Sequence, residues 1–222
     1  MLGRLSGKIF KTVHSCGRRR RFAQNAHIWQ PEDAADKIYL AESGRVRIFE
    51  LKSDGTEVLL EIIDENEFFG ESCFGQKSVG RRKTLARAAT DCTIIEFPVA
   101  DFARLMLENP ELMRAFVASA ARRLASARRR ISILSSRTVE KRLGATLLYL
   151  ASSRGIRVSH ADPCKIKIFV THGELAALTA VSRQRITKTM IHFRNLGLME
   201  YDRTKPLVVD VSALKKYVGT QN

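Results

Sequence analysis

The chain has 222 residues, with 38 Lys+Arg against 23 Asp+Glu, a formal net charge of +15 and 45% hydrophobic residues. That length allows one large or two medium domains, and the composition excludes a disordered chain. No apolar run approaches the ~18 residues of a membrane-spanning helix, and Met1–Phe10 lacks the continuous apolar stretch of a secretory signal, so a basic cytoplasmic protein with a polyanionic partner is expected.

The charge is unevenly placed. Residues 1–30 hold seven basic and no acidic side chains, residues 31–110 ten basic and sixteen acidic, and residues 111–222 twenty-one basic and seven acidic. An acidic middle between basic ends predicts two domains with different partners. Cys16, Cys73, Cys92 and Cys164 lie far apart with no C-x-x-C pair, so reduced thiols are expected rather than zinc or disulfides. Cys16 precedes Arg18-Arg19-Arg20-Arg21, cations of the kind that lower a thiol pKa. His14 and His27 have no supporting haem pattern, and His160, Asp162 and Cys164 alternate in a loop without forming a recognised metal pattern. No metal or haem is therefore expected.

From Ala26 to Phe97 short apolar runs alternate with turn residues. Strands are predicted at Lys37–Ala41, Arg45–Leu51, Glu57–Ile63 and Thr93–Phe97, with Asp54-Gly55 as a hairpin turn and Pro98 as a strand end. Short, regularly spaced strands with no helices between them predict a small barrel or jelly roll. Asn109 then caps, and Pro110 opens, a long helix. Met113, Val117, Ala120, Leu124, Ala127, Ile131 and Leu134 recur along it at alternating steps of four and three. That narrow stripe, bordered by arginines at 122, 123 and 128–130, suits a partner helix in a parallel homodimer. Packing on the helix's own barrel is the competing reading. Ser135-Ser136 is the expected hinge.

A further helix is predicted over Thr138–Ala151, a loop over 152–164 and a strand over 166–170. Thr171 and Glu174 then form a capping box at the start of a short helix. Ala180-Val181 gives a turn, and Ser182 caps a second, basic helix that ends near Asn195. Two short helices joined by a tight turn read as a helix-turn-helix whose second member enters the major groove by its N-terminal half. The DNA-binding candidates are Thr171, Ser182, Arg183, Gln184, Arg185 and Lys188: Arg suits guanine O6/N7, Gln suits adenine N6/N7, and Ser182 with its helix N-terminus suits a phosphate. Leu198–Tyr201 and Leu207–Val211 form the wing, and Ser212 starts a last helix over 213–218.

Taken together, these blocks resemble the CRP/FNR family of bacterial transcription regulators over almost the full length. Asp36-Lys37-Ile38-Tyr39-Leu40 through Ser43-Gly44-Arg45-Val46 is similar to the barrel entry of cyclic-nucleotide-binding domains. Phe68-Phe69-Gly70-Glu71 and Arg82 with Leu85-Ala86-Arg87-Ala88 resemble the two ends of their phosphate-binding cassette. Residues 179–198 resemble the family's helix-turn-helix. The resemblance implies an α+β chain: an N-terminal double-stranded β-helix (jelly-roll) sensor barrel over 1–109, a dimerisation helix and hinge over 110–136, and a C-terminal winged helix-turn-helix DNA-binding domain over 137–222.

It also implies an effector site at Gly70, Glu71, Ser72, Arg82, Lys83, Thr84 and Arg128. In that site Arg82 meets the phosphate and Glu71 a ribose hydroxyl, while Gly70 lets the backbone approach the ligand. The opposing reading pairs Glu71 with Arg82 in an empty pocket. Lys83 stands where the family has a small hydroxyl residue, and Ala127-Arg128 where cAMP-responsive members place a hydroxyl pair. A cyclic nucleotide, another small anion and no effector all remain open, and the departures count against cAMP. The implied partners are double-stranded DNA at an inverted repeat, a second copy of the chain and RNA polymerase, with no membrane and no enzymatic activity. The alternative function is a cyclic-nucleotide-binding regulatory subunit acting on protein partners.

Overall fold

The computed structural model describes residues 13, 16–75, 80–158, 164–202 and 206–220. His14, His160, Asp162 and the tip of the wing at 203–205 lie outside them. The chain divides into two compact units, Met1–Ala125 and Ser126–Asn222.

The described residues of the first unit form eight strands: β1 (Arg18–Phe22), β2 (His27–Trp29), β3 (Lys37–Ser43), β4 (Val46–Leu51), β5 (Glu57–Ile63), β6 (Phe68–Phe69), β7 (Thr84–Ala88) and β8 (Cys92–Pro98). They form two antiparallel four-stranded sheets, β1-β8-β3-β6 and β2-β7-β4-β5. Strand alternation explains the packing. Tyr39, Ala41, Phe69 and Ile94 of one sheet share a core with Trp29, Val46, Ile48, Ile63 and Ala86 of the other. The opposite faces of β3 and β8 send Ile38, Leu40, Ile95 and Phe97 into a second core. The Asp54-Gly55 turn joins β4 and β5: Gly55 has φ +81° and the Asp54 carboxylate accepts from the Thr56 amide at 2.9 Å. That bond holds the Asp54 carboxyl below its usual pKa.

β1 corrects the sequence reading. Arg18–Arg21 is not merely a charge run beside Cys16 but an edge strand in register with Glu96 to Thr93 of β8, its four arginines exposed.

A helix that sequence periodicity did not single out, α1 (Val99–Glu108), follows Pro98 and buries Phe102 and Leu105. The long helix α2 spans Pro110–Leu134. Its Leu112 is fully buried, and Phe116 meets the rings of Phe68, Phe74 and Phe102 at 5.4–5.8 Å between centroids. The boundary between the two compact units falls inside α2. Ser135 and Ser136, the expected hinge, close the helix's last turn: the Ser135 amide bonds the Ile131 carbonyl, and the Ser136 carbonyl accepts from Arg142 Nε at 2.9 Å.

The second unit holds α3 (Val139–Arg154), β9 (Ile156–Arg157), β10 (Lys165–Ile168), α4 (His172–Thr179), α5 (Arg183–Asn195), β11 (Met199–Glu200), β12 (Leu207–Asp210) and α6 (Val211–Thr220). Part of the predicted loop after residue 151 is ordered differently: α3 runs on to Arg154, and β9 pairs with β10. The wing therefore belongs to a four-stranded sheet, β11-β12-β10-β9. The final helix starts at Val211 rather than Ser212, because the Asp210 carboxylate accepts from the Ala213 amide at 2.8 Å and acts as its cap.

Candidate nucleic-acid interface and barrel pocket

Local chemistry fixes the turn between α4 and α5. Thr171 caps α4 by accepting from the Glu174 amide at 3.1 Å, and Glu174 returns the bond to the Thr171 amide at 2.8 Å. Thr171 also donates its hydroxyl to Glu174 at 3.0 Å, so that hydroxyl serves the cap. Ala180 adopts φ +53°, ψ +44°, the left-handed conformation that ends α4, and the Val181 amide closes on the Ala176 carbonyl. Ser182 caps α5 by accepting from the Arg185 amide at 3.4 Å. Glu174→Ala is expected to cost about 1–2 kcal/mol, read as a lower denaturant midpoint of the second unit, because it removes the reciprocal cap of a buried carboxylate.

Ile186, Met190 and Phe193, at steps of four and three, are buried in a core with Leu143, Leu147, Leu175, Leu207, Val209 and Leu214. Burial of that face turns Ser182, Arg183, Gln184, Arg185 and Lys188 outward, where all five are exposed. α5 carries no acidic residue. Its exposed N-terminal turn is therefore a cluster of cations and one amide at the positive end of a helix dipole. At the other end of the helix, Arg194 lies over the Tyr201 ring at 5.2 Å, which ties α5 to the wing.

The stripe on α2 is solvent-facing. Val117, Leu124 and Ile131 are 58%, 54% and 67% exposed; Met113 and Ala127 are exposed, and Ala120 and Leu134 half-buried. The residues that α2 packs on its barrel, Leu112 and Phe116, lie one position away from the stripe.

Within the barrel, Trp29, Ile48, Leu60, Glu61, Gly70, Glu71, Ser72, Arg81, Lys83, Thr84 and Arg123 line a cavity of about 200 Å³. The cassette arginine is not among them. Arg82 is 1% exposed and donates to the carbonyls of Gly70 at 2.9 Å and Lys37 at 2.5 Å. Its guanidinium lies over the rings of Trp29 at 4.6 Å and Tyr39 at 5.5 Å. Burial pushes the Tyr39 phenol up to about 12. Gly70 has φ +86°, and a Cβ there would come within 2.9 Å of the Tyr39 ring and 3.3 Å of Arg82 Nη1. Its bareness thus makes room for Arg82 as well as for a turn beside the cavity.

Glu71 pairs not with Arg82 but with Arg123 of α2, which also binds Glu61 at 2.5 Å. Two carboxylates hold the Arg123 guanidinium above its ordinary pKa against the opposing effect of burial. Sequence reasoning placed Arg123 only at the border of the apolar stripe and did not single out Glu61. Their signal was present: Leu112, Phe116, Ser119 and Arg123 sit at steps of four, three and four, a barrel-facing row parallel to the apolar stripe. Lys83 and Thr84 do line the cavity, with Thr84 accepting from Trp29 Nε1 at 3.3 Å. Ser72 lines it as well and lies 3.5 Å from Arg82 Nη1. Arg128 belongs to the other compact unit and is exposed.

Comparison with known proteins follows the same division. Residues 19–109 match the cyclic nucleotide-binding domain model and residues 141–217 the Crp-like helix-turn-helix domain model. The chain is 30% identical over 159 residues to the cAMP-activated global transcriptional regulator CRP of Pasteurella multocida, covering 71% of this chain and 74% of that one. It is 29% identical over 184 residues to the transcriptional regulator SdrP of Thermus thermophilus, covering 82% and 83%. The solved structure of the c-di-GMP responsive regulator CLP of Xanthomonas campestris superposes with a TM-score of 0.74 at 26% identity, covering 92% of this chain and 99% of that one. Sensor barrel, long helix and capped helix-turn-helix define a DNA-binding transcription regulator. The chain belongs to the CRP/FNR family.

Proposed function

We propose that the protein acts as a homodimer on an inverted repeat in double-stranded DNA, each subunit placing α5 in the major groove. The observation that carries this is the capped, acid-free face of α5, with Arg183, Gln184, Arg185 and Lys188 turned outward by burial of Ile186, Met190 and Phe193. Two such helices related by a two-fold axis address half-sites about one turn, ~34 Å, apart. Met113, Val117, Ala120, Leu124, Ala127, Ile131 and Leu134 form the dimer seam. RNA polymerase is the onward partner and the cytoplasm the compartment; among the described residues no helix is long and apolar enough to cross a membrane. The protein has no enzymatic role in this reading.

The cavity takes a small anionic effector that competes with Glu61 and Glu71 for Arg123, beside Arg81 and Lys83 at its wall. Relatives named for cAMP and c-di-GMP make nucleotides the first probes. Any effector acts only through its differential affinity for two arrangements of the protein.

Selection from a random duplex pool, with and without cyclic nucleotides, tests the reading. A palindrome should be selected, and Arg183→Ala should relax one base pair per half-site at a cost of ~1–3 kcal/mol. Weakening spread equally over all sequences would make Arg183 a phosphate contact instead.

A further inference from the structure

His172, the first residue of α4, packs against both other parts of the reading head. Its Nδ1 lies 3.2 Å from Thr187 Oγ1 on α5, and its ring meets Tyr201 of the wing edge-on at 5.5 Å. The Thr187 hydroxyl has one proton, and it is donated to the Arg183 carbonyl at 2.9 Å. Thr187 Oγ1 can therefore only accept from the imidazole, which makes Nδ1 the protonated nitrogen and leaves the lone pair on Nε2. The half-buried ring is thus oriented by one side of the recognition helix, and Nε2 is the nitrogen left to take up a proton. Charges and titratable groups around it are the guanidinium of Arg183 on α5, the phenol of Tyr201 with Arg194 stacked behind it, and the buried Glu174 on its own helix, which is engaged with Thr171. Burial and the Arg183 charge hold His172 below its ordinary 6.5 in the free protein.

We propose that His172 is a proton-linked phosphate ligand of the DNA-binding surface: when a backbone phosphate docks beside Arg183, Nε2 takes up a proton from solvent and donates it as a charged hydrogen bond to the phosphate. This rests on the DNA-binding reading above. One proton is taken up per half-site, and no other bond changes. The phosphate supplies the negative charge that offsets Arg183 and raises the imidazole pKa in the complex. A group whose pKa rises on binding strengthens binding as pH falls through the bound-state value, and the gain levels off below the depressed free-state value. Affinity should therefore increase on acidification until the pH falls below the free-protein value, which burial and Arg183 hold under the ordinary one.

The test measures binding of the full-length protein to a mixed-sequence duplex of about 30 base pairs at fixed salt over a pH series. The comparison variant is His172→Asn, whose side-chain amide can still donate to Thr187 but cannot titrate. The unmodified protein should gain up to about tenfold in affinity per pH unit for each subunit that engages the duplex. The Asn variant should lose most of that slope while matching the unmodified protein at high pH. Calorimetry in two buffers of different ionisation enthalpy should show proton uptake by the unmodified protein that the variant lacks. Equal slopes in the two proteins, or no proton uptake, would overturn the linkage while leaving DNA binding intact. Failure of both proteins to bind duplex at any pH would overturn the DNA reading and this inference with it.

Discussion

Leu124→Asp is expected to split the proposed dimer into monomers and to remove the advantage of a palindromic site over a single half-site. Leu124 is 54% exposed on α2, in line with Val117 and Ile131, while the barrel is held by Leu112 and Phe116 on a neighbouring face. The substitution therefore leaves the core of the subunit untouched and places its whole effect on association. Each copy would have to bury an unpaired carboxylate in the seam, a cost of several kcal/mol. Two copies weaken the dimer by on the order of 10⁴-fold or more. Sedimentation should show a folded monomer with unchanged circular dichroism. A palindrome would then be bound no better than a single half-site, since the gain from linking two readers is lost. A dimer that survives the substitution would move the interface elsewhere.

Arg82→Leu gives the second large effect, and it separates two roles that the family motif merges. As the cassette arginine, Arg82 should touch effector and contribute little to the empty barrel. In the structure it donates to two backbone carbonyls, lies over Trp29 and Tyr39, and does not line the cavity. Leucine keeps much of the volume but leaves the Gly70 and Lys37 carbonyls without that donor, at about 1–3 kcal/mol each, and forfeits the stacking. A loss of roughly 3–5 kcal/mol is expected, enough to unfold a marginal barrel, and equilibrium denaturation in guanidinium measures it. A barrel of undiminished stability would return Arg82 to the role of a ligand-binding group.

The elements that sequence made legible are those with local chemistry. The Asp54-Gly55 turn, the Pro110 start of α2, the Thr171–Glu174 box and the Ser182 cap each rest on side chains within a few residues of one another. The outward set on α5 follows from the period of Ile186, Met190 and Phe193 alone. What escaped depends on long-range pairing. Arg18–Arg21 has no strand signature until β8 lies beside it, and Ile156–Arg157 none until β10 does. The same holds in the pocket: Arg123 and Glu61 are 62 positions apart, and the motif that named Arg82 carried no information about which carboxylate or carbonyl its guanidinium would meet.

The arginine-built β1 has a consequence for life at high protein concentration. It is the last strand of its sheet, bonded on one side to β8 and paired with no second strand among the described residues. An open edge is a template on which a strand from another molecule can grow. Four successive arginines make a like-charged border, since any copy arriving in register brings the same charges with it. Glu42 and Glu96 pair with Arg19 and Arg20 from within the same barrel, which holds those two arginines in place on the strand. Arg19→Val with Arg21→Val, which removes two of those charges, is therefore expected to raise light scattering at high protein concentration without altering the reading head.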